Sequence, residues 1–187
     1  MFIETESTPN PNTLKFLPGR NVMPEGTLDI RDAKAAEQSP LARALFSIDG
    51  VTGVFFGYDF VSVTKSTGEW SHFKPAILGA LMEHFMSGAP VVETVAEGHD
   101  AHNDDEFFDA DDEETVDTIK DLIETRVRPA VAGDGGDITF KGYRAGVVYL
   151  SMRGACSGCP SSTATLKSGI ENLLKHFVPS VQAVEQI

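Results

Sequence analysis

Cys156 and Cys159 are the only cysteines in this chain, and they lie together in Gly154-Ala155-Cys156-Ser157-Gly158-Cys159-Pro160. Two thiols at that spacing reach one metal centre. They supply only half of the four thiolates that a structural zinc or an iron–sulfur cluster usually takes. With no third thiol in the sequence, a complete site calls for a second copy of the chain. Proline favours the first position of a helix, so a helix predicted over Ser161 to Phe177 places Cys159 at or beside its N-cap. Unpaired N–H groups and the dipole at that end stabilise a thiolate and lower its pKa. Gly154 and Gly158 remove side chains around the sulfurs and let backbone N–H groups approach them. From Lys141 to His176 there are five Lys or Arg and one Glu, a local charge that favours an anionic centre. The same arrangement also serves dithiol–disulfide oxidoreductases of the thioredoxin kind. That reading expects a βαβ context and a bulky aromatic before the first cysteine. Here a predicted hairpin precedes the loop, and Ala155 holds that position. A zinc-bridged or purely structural pair is the third reading.

The elements that must position this loop form the second half of the chain. Val116, Ile119, Ile123 and Val127 fall at helical spacing over Thr115 to Arg128, with acids at the start and Arg126 and Arg128 at the end, as the helix dipole favours. Pro129 is expected to end that helix. Gly133-Asp134-Gly135-Gly136-Asp137 reads as a tight loop, with Asp134 or Asp137 as candidates to shape the cysteine loop. Ile138 to Tyr143 and Val147 to Met152 read as a hairpin turning at Arg144-Ala145-Gly146. The helix after the cysteines would face Leu166, Ile170, Leu173, Leu174 and Phe177 inward, and Val181 to Val184 would add a last strand.

In the first half, Phe2 to Glu6 and Leu14 to Leu17 alternate apolar and polar residues as strands do. Ser39-Pro40 opens a helix running to Ile48. Val51 to Phe56 and Phe60 to Thr64 read as paired strands. A second helix starts at Phe73 or Lys74 and ends at Met86, with Ile77, Leu78, Leu81 and Phe85 inward. The expected class is α+β, with two small mixed domains: ββαββα over residues 1–90 and αββαβ over residues 113–187, joined by a flexible acidic linker over residues 91–112.

Charge supports that division. The 187 residues carry a formal net charge of −13, with 28 acids and 15 Lys or Arg. Ten of the acids lie between Glu97 and Glu114, where there is no Lys or Arg, which leaves 18 against 15 elsewhere. Such a segment is too polar to offset the entropy of ordering it. Phe107-Phe108 is its one oddity, read as two stray aromatics that brush either domain rather than as a docking motif. No basic stripe marks a nucleic-acid surface, and no run of about 18 apolar residues would span a membrane. Met1 to Glu6, without a basic start or an apolar core, read as neither a signal peptide nor an Arg-rich transit peptide. The expected location is the cytoplasm of a bacterium, or the mitochondrial matrix if a presequence has been removed.

The remaining candidates have plainer readings. His99 and His102 with Asp104 read as a solvated linker rather than a cation site. His72, His84 and His176 read as helix-surface or helix-end residues, and Trp70 and Phe73 as packing. Arg153 is either a surface charge or a group that pairs with cluster sulfide or with a partner's carboxylate.

The Gly133–Asp137 loop, the hairpin and the Cys156–Cys159 motif together closely resemble the C-terminal domain of NifU, the Nfu module. Thr8-Pro9-Asn10-Pro11-Asn12-Thr13-Leu14-Lys15-Phe16 and Trp70 through Pro75 resemble the N-terminal domain of Nfu-type proteins. The resemblance implies an iron–sulfur cluster scaffold or carrier rather than an enzyme. It implies that Cys156 and Cys159 from each of two chains hold one [4Fe–4S] cluster, or a [2Fe–2S] cluster, in a homodimer. The cluster would come from upstream cluster-assembly proteins and pass to apo iron–sulfur enzymes by thiolate exchange.

Overall fold

The computed structural model describes residues 1–93 and 106–187 apart from 157–159, and for 160–162 the backbone alone. The chain divides into two compact units, Met1–Gly98 and His99–Ile187. Each is α+β.

The first unit is a five-stranded antiparallel sheet in the order β1-β2-β5-β4-β3. Its strands are β1 (Glu4–Ser7), β2 (Thr13–Leu17), β3 (Leu28–Ile30), β4 (Val51–Phe56) and β5 (Val61–Lys65). Cross-strand register puts Leu14, Val63, Val54 and Ile30 in one row and Phe16, Val61 and Phe56 in the next. Successive side chains of a strand point to opposite faces, so both rows share one face. They bury against Leu41 and Leu45 of α1 (Pro40–Phe46) and Ile77 and Leu81 of α2 (Trp70–Ser87). The opposite face carries the row Glu6–Lys15–Ser62–Phe55–Asp29. There the Phe60 ring packs on Phe55 and beneath the Lys15 ammonium.

The ends of α1 and α2 follow from local chemistry. Ser39 is the α1 N-cap: its hydroxyl oxygen accepts the Ala42 N–H at 3.1 Å, with Pro40 at the first helical position. The α2 helix starts at Trp70, upstream of the expected Phe73 or Lys74. Pro75 lies inside it, where a ring without an N–H usually marks a boundary. Tertiary contacts hold the extra turn. Trp70 Nε1 donates to the Pro11 carbonyl at 3.1 Å, and the Phe73 ring lies against Gly50 and Gly68. Both glycines have φ near +90° and leave no room for a Cβ at ordinary distance. His84, expected on the surface, is buried, and its Nε2 has no hydrogen-bond partner among the described residues. Burial pushes its pKa down, because desolvation disfavours the imidazolium.

The second unit runs α3 (Glu113–Leu122), a π-helical turn (Ile123–Val127), α4 (Arg128–Gly133), β6 (Gly136–Arg144), β7 (Val147–Gly154), α5 (Pro160–Phe177) and β8 (Ala183–Gln186). β6 and β7 are antiparallel, β8 is parallel to β7, and the sheet order is β6-β7-β8. Val116, Ile119, Ile123, Val127 and Val131 pack on Ile138, Phe140, Val148, Leu150 and Met152, with Ile170 and Leu174 of α5 and Val184 of β8 in the same core. The β6–β7 turn uses Ala145 and Gly146, both at positive φ, as two-residue hairpins require.

Three expectations change here. Pro129 does not end the helix. The π turn widens the backbone, with the Arg128 N–H bonding to the Ile123 carbonyl, and so relieves the clash a proline ring makes with the preceding turn. Phe177 is not inward: it is 45 % exposed, with the Arg126 guanidinium 4.9 Å from its ring centroid. Residues 106–112, read as linker, hold structure. Phe107 forms a parallel bridge with Gly142, and Ala110–Asp112 form a short 3-10 turn into α3. Residues 94–105, with His99, His102 and Asp104, lie outside the described residues.

Candidate metal centre

The site lies where β7 hands over to α5. Gly154, at φ +67°, ends β7, and Ala155 and Cys156 make the turn that follows. Two hydrogen bonds secure this turn. The Ala155 N–H donates to the Gly135 carbonyl at 3.2 Å, and Thr163, in the first turn of α5, donates its hydroxyl to the Cys156 carbonyl at 3.1 Å. The loop is thereby tied to the α4–β6 turn on one side and to its own helix on the other.

Cys156 is only 5 % exposed and belongs to the unit's apolar core. Its nearest constraint is Gly136. A Cβ there would stand 2.8 Å from Cys156 Sγ and 2.6 Å from the Arg153 carbonyl oxygen, distances that atoms do not adopt. Glycine is required because the sulfur lies against its Cα.

The electrostatics of Cys156 follow from its burial. The Cys156 thiol is pushed up to about 12, first by burial and then by the negative charges of Asp134 and Asp137. Desolvation is the larger cause, because it acts on the sulfur itself. Cys159, the other predicted ligand and the one placed at the N-cap, lies outside the described residues. Arg153 sits on β7 opposite Asp137 in the β6–β7 ladder.

A group that sequence reasoning only half identified organises this end of the unit. Asp137 is 5 % exposed and receives a two-pronged bond from Arg128, Nε to Oδ1 at 2.9 Å and Nη2 to Oδ2 at 3.1 Å. Its Oδ1 also accepts the Ile138 N–H at 2.8 Å. Arg128 Nη1 reaches Glu124 at 2.7 Å, and these carboxylates hold the guanidinium firmly charged, its pKa raised despite burial. The pair clamps α4 to the start of β6, directly beneath the cysteine turn. Asp137 was one of two candidates, with Asp134, to shape the loop. Arg128 was read only as a charge at a helix end, and nothing in its spacing to Asp137 distinguishes it from a surface arginine.

The description "Scaffold protein Nfu/NifU N terminal" matches residues 3–88, and "NifU-like domain" matches residues 119–185. The chain therefore belongs to the Nfu type, an Nfu N-terminal domain followed by a NifU-like domain. Similar curated proteins agree in both halves. The "NFU1 iron-sulfur cluster scaffold homolog, mitochondrial" of Drosophila erecta is 52 % identical over 190 residues, covering 100 % of this chain and 65 % of that protein. The "NifU-like protein 4, mitochondrial" of Arabidopsis thaliana is 52 % identical over 189 residues, covering 100 % of this chain and 66 % of that one. The chain thus spans about two thirds of the length of these relatives. A solution structure of a NifU-like protein from Saccharomyces cerevisiae aligns with 50 % of this chain and 86 % of its own, at 27 % identity and a TM-score of 0.46. Among the described residues no helix is long and apolar enough to cross a membrane.

Proposed function

We propose that this chain is an iron–sulfur cluster scaffold and carrier, with the cluster as its cargo. Cys156 and Cys159 of two copies together supply the four thiolates of one [4Fe–4S] cluster. The single observation that carries this reading is the pair of cysteines, the only two in the chain, at the β7–α5 junction of a NifU-like domain. A chain holding half a donor set completes it by pairing, and a cluster shared at the surface of two subunits leaves by stepwise thiolate exchange. Relatives named as iron–sulfur cluster scaffolds support the same cargo. The recipients are apo iron–sulfur proteins and the donors cluster-assembly proteins. Residues 1–90 act as a separate domain that engages them, and the boundary of the cluster domain moves forward from 113 to include residues 106–112.

The donor set fits the cargo with one condition. Cys156 is a buried neutral thiol in the metal-free chain, so ligation requires its sulfur to leave the core and lose a proton.

Anaerobic reconstitution with ferrous iron and sulfide tests the proposal. The expected product is a brown dimer holding about four irons per two chains. Cys156→Ser and Cys159→Ser should each abolish colour and cluster-dependent dimerisation. A variant that keeps its cluster would remove that cysteine from the ligand set. A colourless monomer that reduces insulin disulfides would replace the carrier with the redox enzyme.

A further inference from the structure

β6 is the outer strand of its sheet, and an open strand edge is a template for pairing with another chain. Among the described residues, Glu106 and Phe107 cover part of that edge. The Phe107 N–H donates to the Lys141 carbonyl at 3.1 Å, and its own carbonyl accepts the Tyr143 N–H at 2.8 Å. The Phe107 ring lies flat on Gly142, where a Cβ would come within 2.5 Å of it. Tyr149 stands 5.0 Å away, ring to ring, and the Arg144 guanidinium lies 5.3 Å from the Phe107 ring centroid. Glu106 pairs with Lys120 of α3. Main-chain bonds to a sheet edge, with pockets for individual side chains, are how extended peptides are recognised.

The edge continues beyond these two residues. A groove of about 310 Å³ runs beside Ile138, Thr139 and Phe140, with Ile123, Asp121 and Arg128 on its other wall. Ile123, Ile138 and Phe140 supply its apolar lining.

We propose that the outer edge of β6 is a strand-addition site for an extended peptide segment in which an acidic residue precedes an aromatic one, and that Glu106–Phe107 occupies it in cis. The seated segment defines the chemistry: a carboxylate for Lys120, a flat ring for Gly142 between Tyr149 and Arg144, and two main-chain bonds. A partner segment that continues along Ile138–Phe140 gains apolar contact with Ile123 beyond what Glu106 and Phe107 supply. Gly142 and Gly136 are six residues apart on one strand, about 20 Å at the usual rise, and Gly136 abuts Cys156. A partner docked on this edge is therefore held at a fixed distance from the cysteine turn.

The test uses the whole 187-residue chain without metal, so it reads independently of the cargo. Phe107→Ala empties the ring seat. A synthetic peptide with the sequence of residues 103–110 is titrated into the isotope-labelled variant and followed by amide NMR. Saturable shifts are expected at Lys141, Gly142 and Tyr143. Binding should be at least tenfold weaker for the same peptide with alanine in place of its first phenylalanine. It should also be at least tenfold weaker for the wild-type chain, where the cis segment competes. Adding Gly142→Ala to the variant should abolish it. If Phe107→Ala does not fold, Phe107→Leu takes its place with the same expected order. A folded variant with no saturable shifts on β6, or one that binds both peptides equally, overturns the proposal.

Discussion

In the metal-free chain the Cys156 thiol should be nearly inert, and the size of that effect follows from its surroundings. Burial and the nearby carboxylates push its pKa to about 12. At pH 8 such a thiol is ionised to about one part in ten thousand, whereas an ordinary cysteine with a pKa near 8.5 is about one quarter thiolate. Ionisation alone slows alkylation by roughly three orders of magnitude. A more basic thiolate is a better nucleophile, with a Brønsted slope of about 0.4–0.5, and this returns a little over one order. The net expectation is a rate roughly a hundredfold below that of an exposed thiol. The 5 % exposure of Cys156 slows it further. The assay is iodoacetamide labelling of a Cys159→Ser chain, read by mass spectrometry from pH 7 to 10, against the same chain in urea. The folded rate should climb about tenfold per pH unit with no plateau below pH 10. Gly136→Ala, which pushes a methyl toward Sγ and the Arg153 carbonyl, should raise the rate at pH 8 at least tenfold as the sulfur is displaced. Folded-state labelling within fivefold of the urea sample, or a plateau near pH 9, would refute the buried, neutral thiol.

Three further outcomes follow from the same contacts. Because the folded state holds the Cys156 thiol protonated, with its pKa raised from 9.0 to about 12, its burial contributes stability that is complete below about pH 9. That contribution is lost as pH rises toward 12 and amounts to at most about 4 kcal/mol; comparing urea unfolding of wild type and Cys156→Ala from pH 8 to 11 should show the wild type losing more. Arg128→Met leaves Asp137 buried without its cation and should destabilise the second unit by about 2–4 kcal/mol, with Arg128→Met/Asp137→Asn costing less than the sum of the two single changes in chemical denaturation. Ser39→Ala removes the cap of α1 and the donor to the Val91 carbonyl and should cost about 1–2 kcal/mol, seen as early melting of the first unit by Trp70 fluorescence.

The sequence was most legible where a pattern repeats along one element. The alternation over Leu14–Leu17 and the 3–4 spacing of Val116, Ile119, Ile123 and Val127 located a strand and a helix to within a few residues, and Ser39-Pro40 marked a helix start. It was least legible where the deciding contact comes from far along the chain. β3 was missed because Leu28-Asp29-Ile30 is too short to carry a period. It is a strand only because β4 offers it an edge. The early start of α2 depends on Pro11, Gly50 and Gly68, and the persistence of the helix through Pro129 depends on a π turn that no composition marks. At the site, motif spacing singled out Cys156 but not its surroundings. Burial, which a sequence window cannot measure, masks the Cys156 thiol, while the activated thiol expected at Cys159 lies outside the described residues. Phe107 looked like a stray aromatic in an acidic run because its partner, Gly142, is identified only by lacking a side chain.

The π turn also has an evolutionary corollary. One residue inserted into an α-helix rotates everything after it by about 100°, so Ile123–Val127 acts as a phase shifter between α3 and the arginine clamp. Removing a single residue there would leave the apolar stripe of α3 in place and swing Arg128 off Asp137. Indels in this stretch should therefore be purged more stringently than its residue identities, and length rather than chemistry would be the heritable trait.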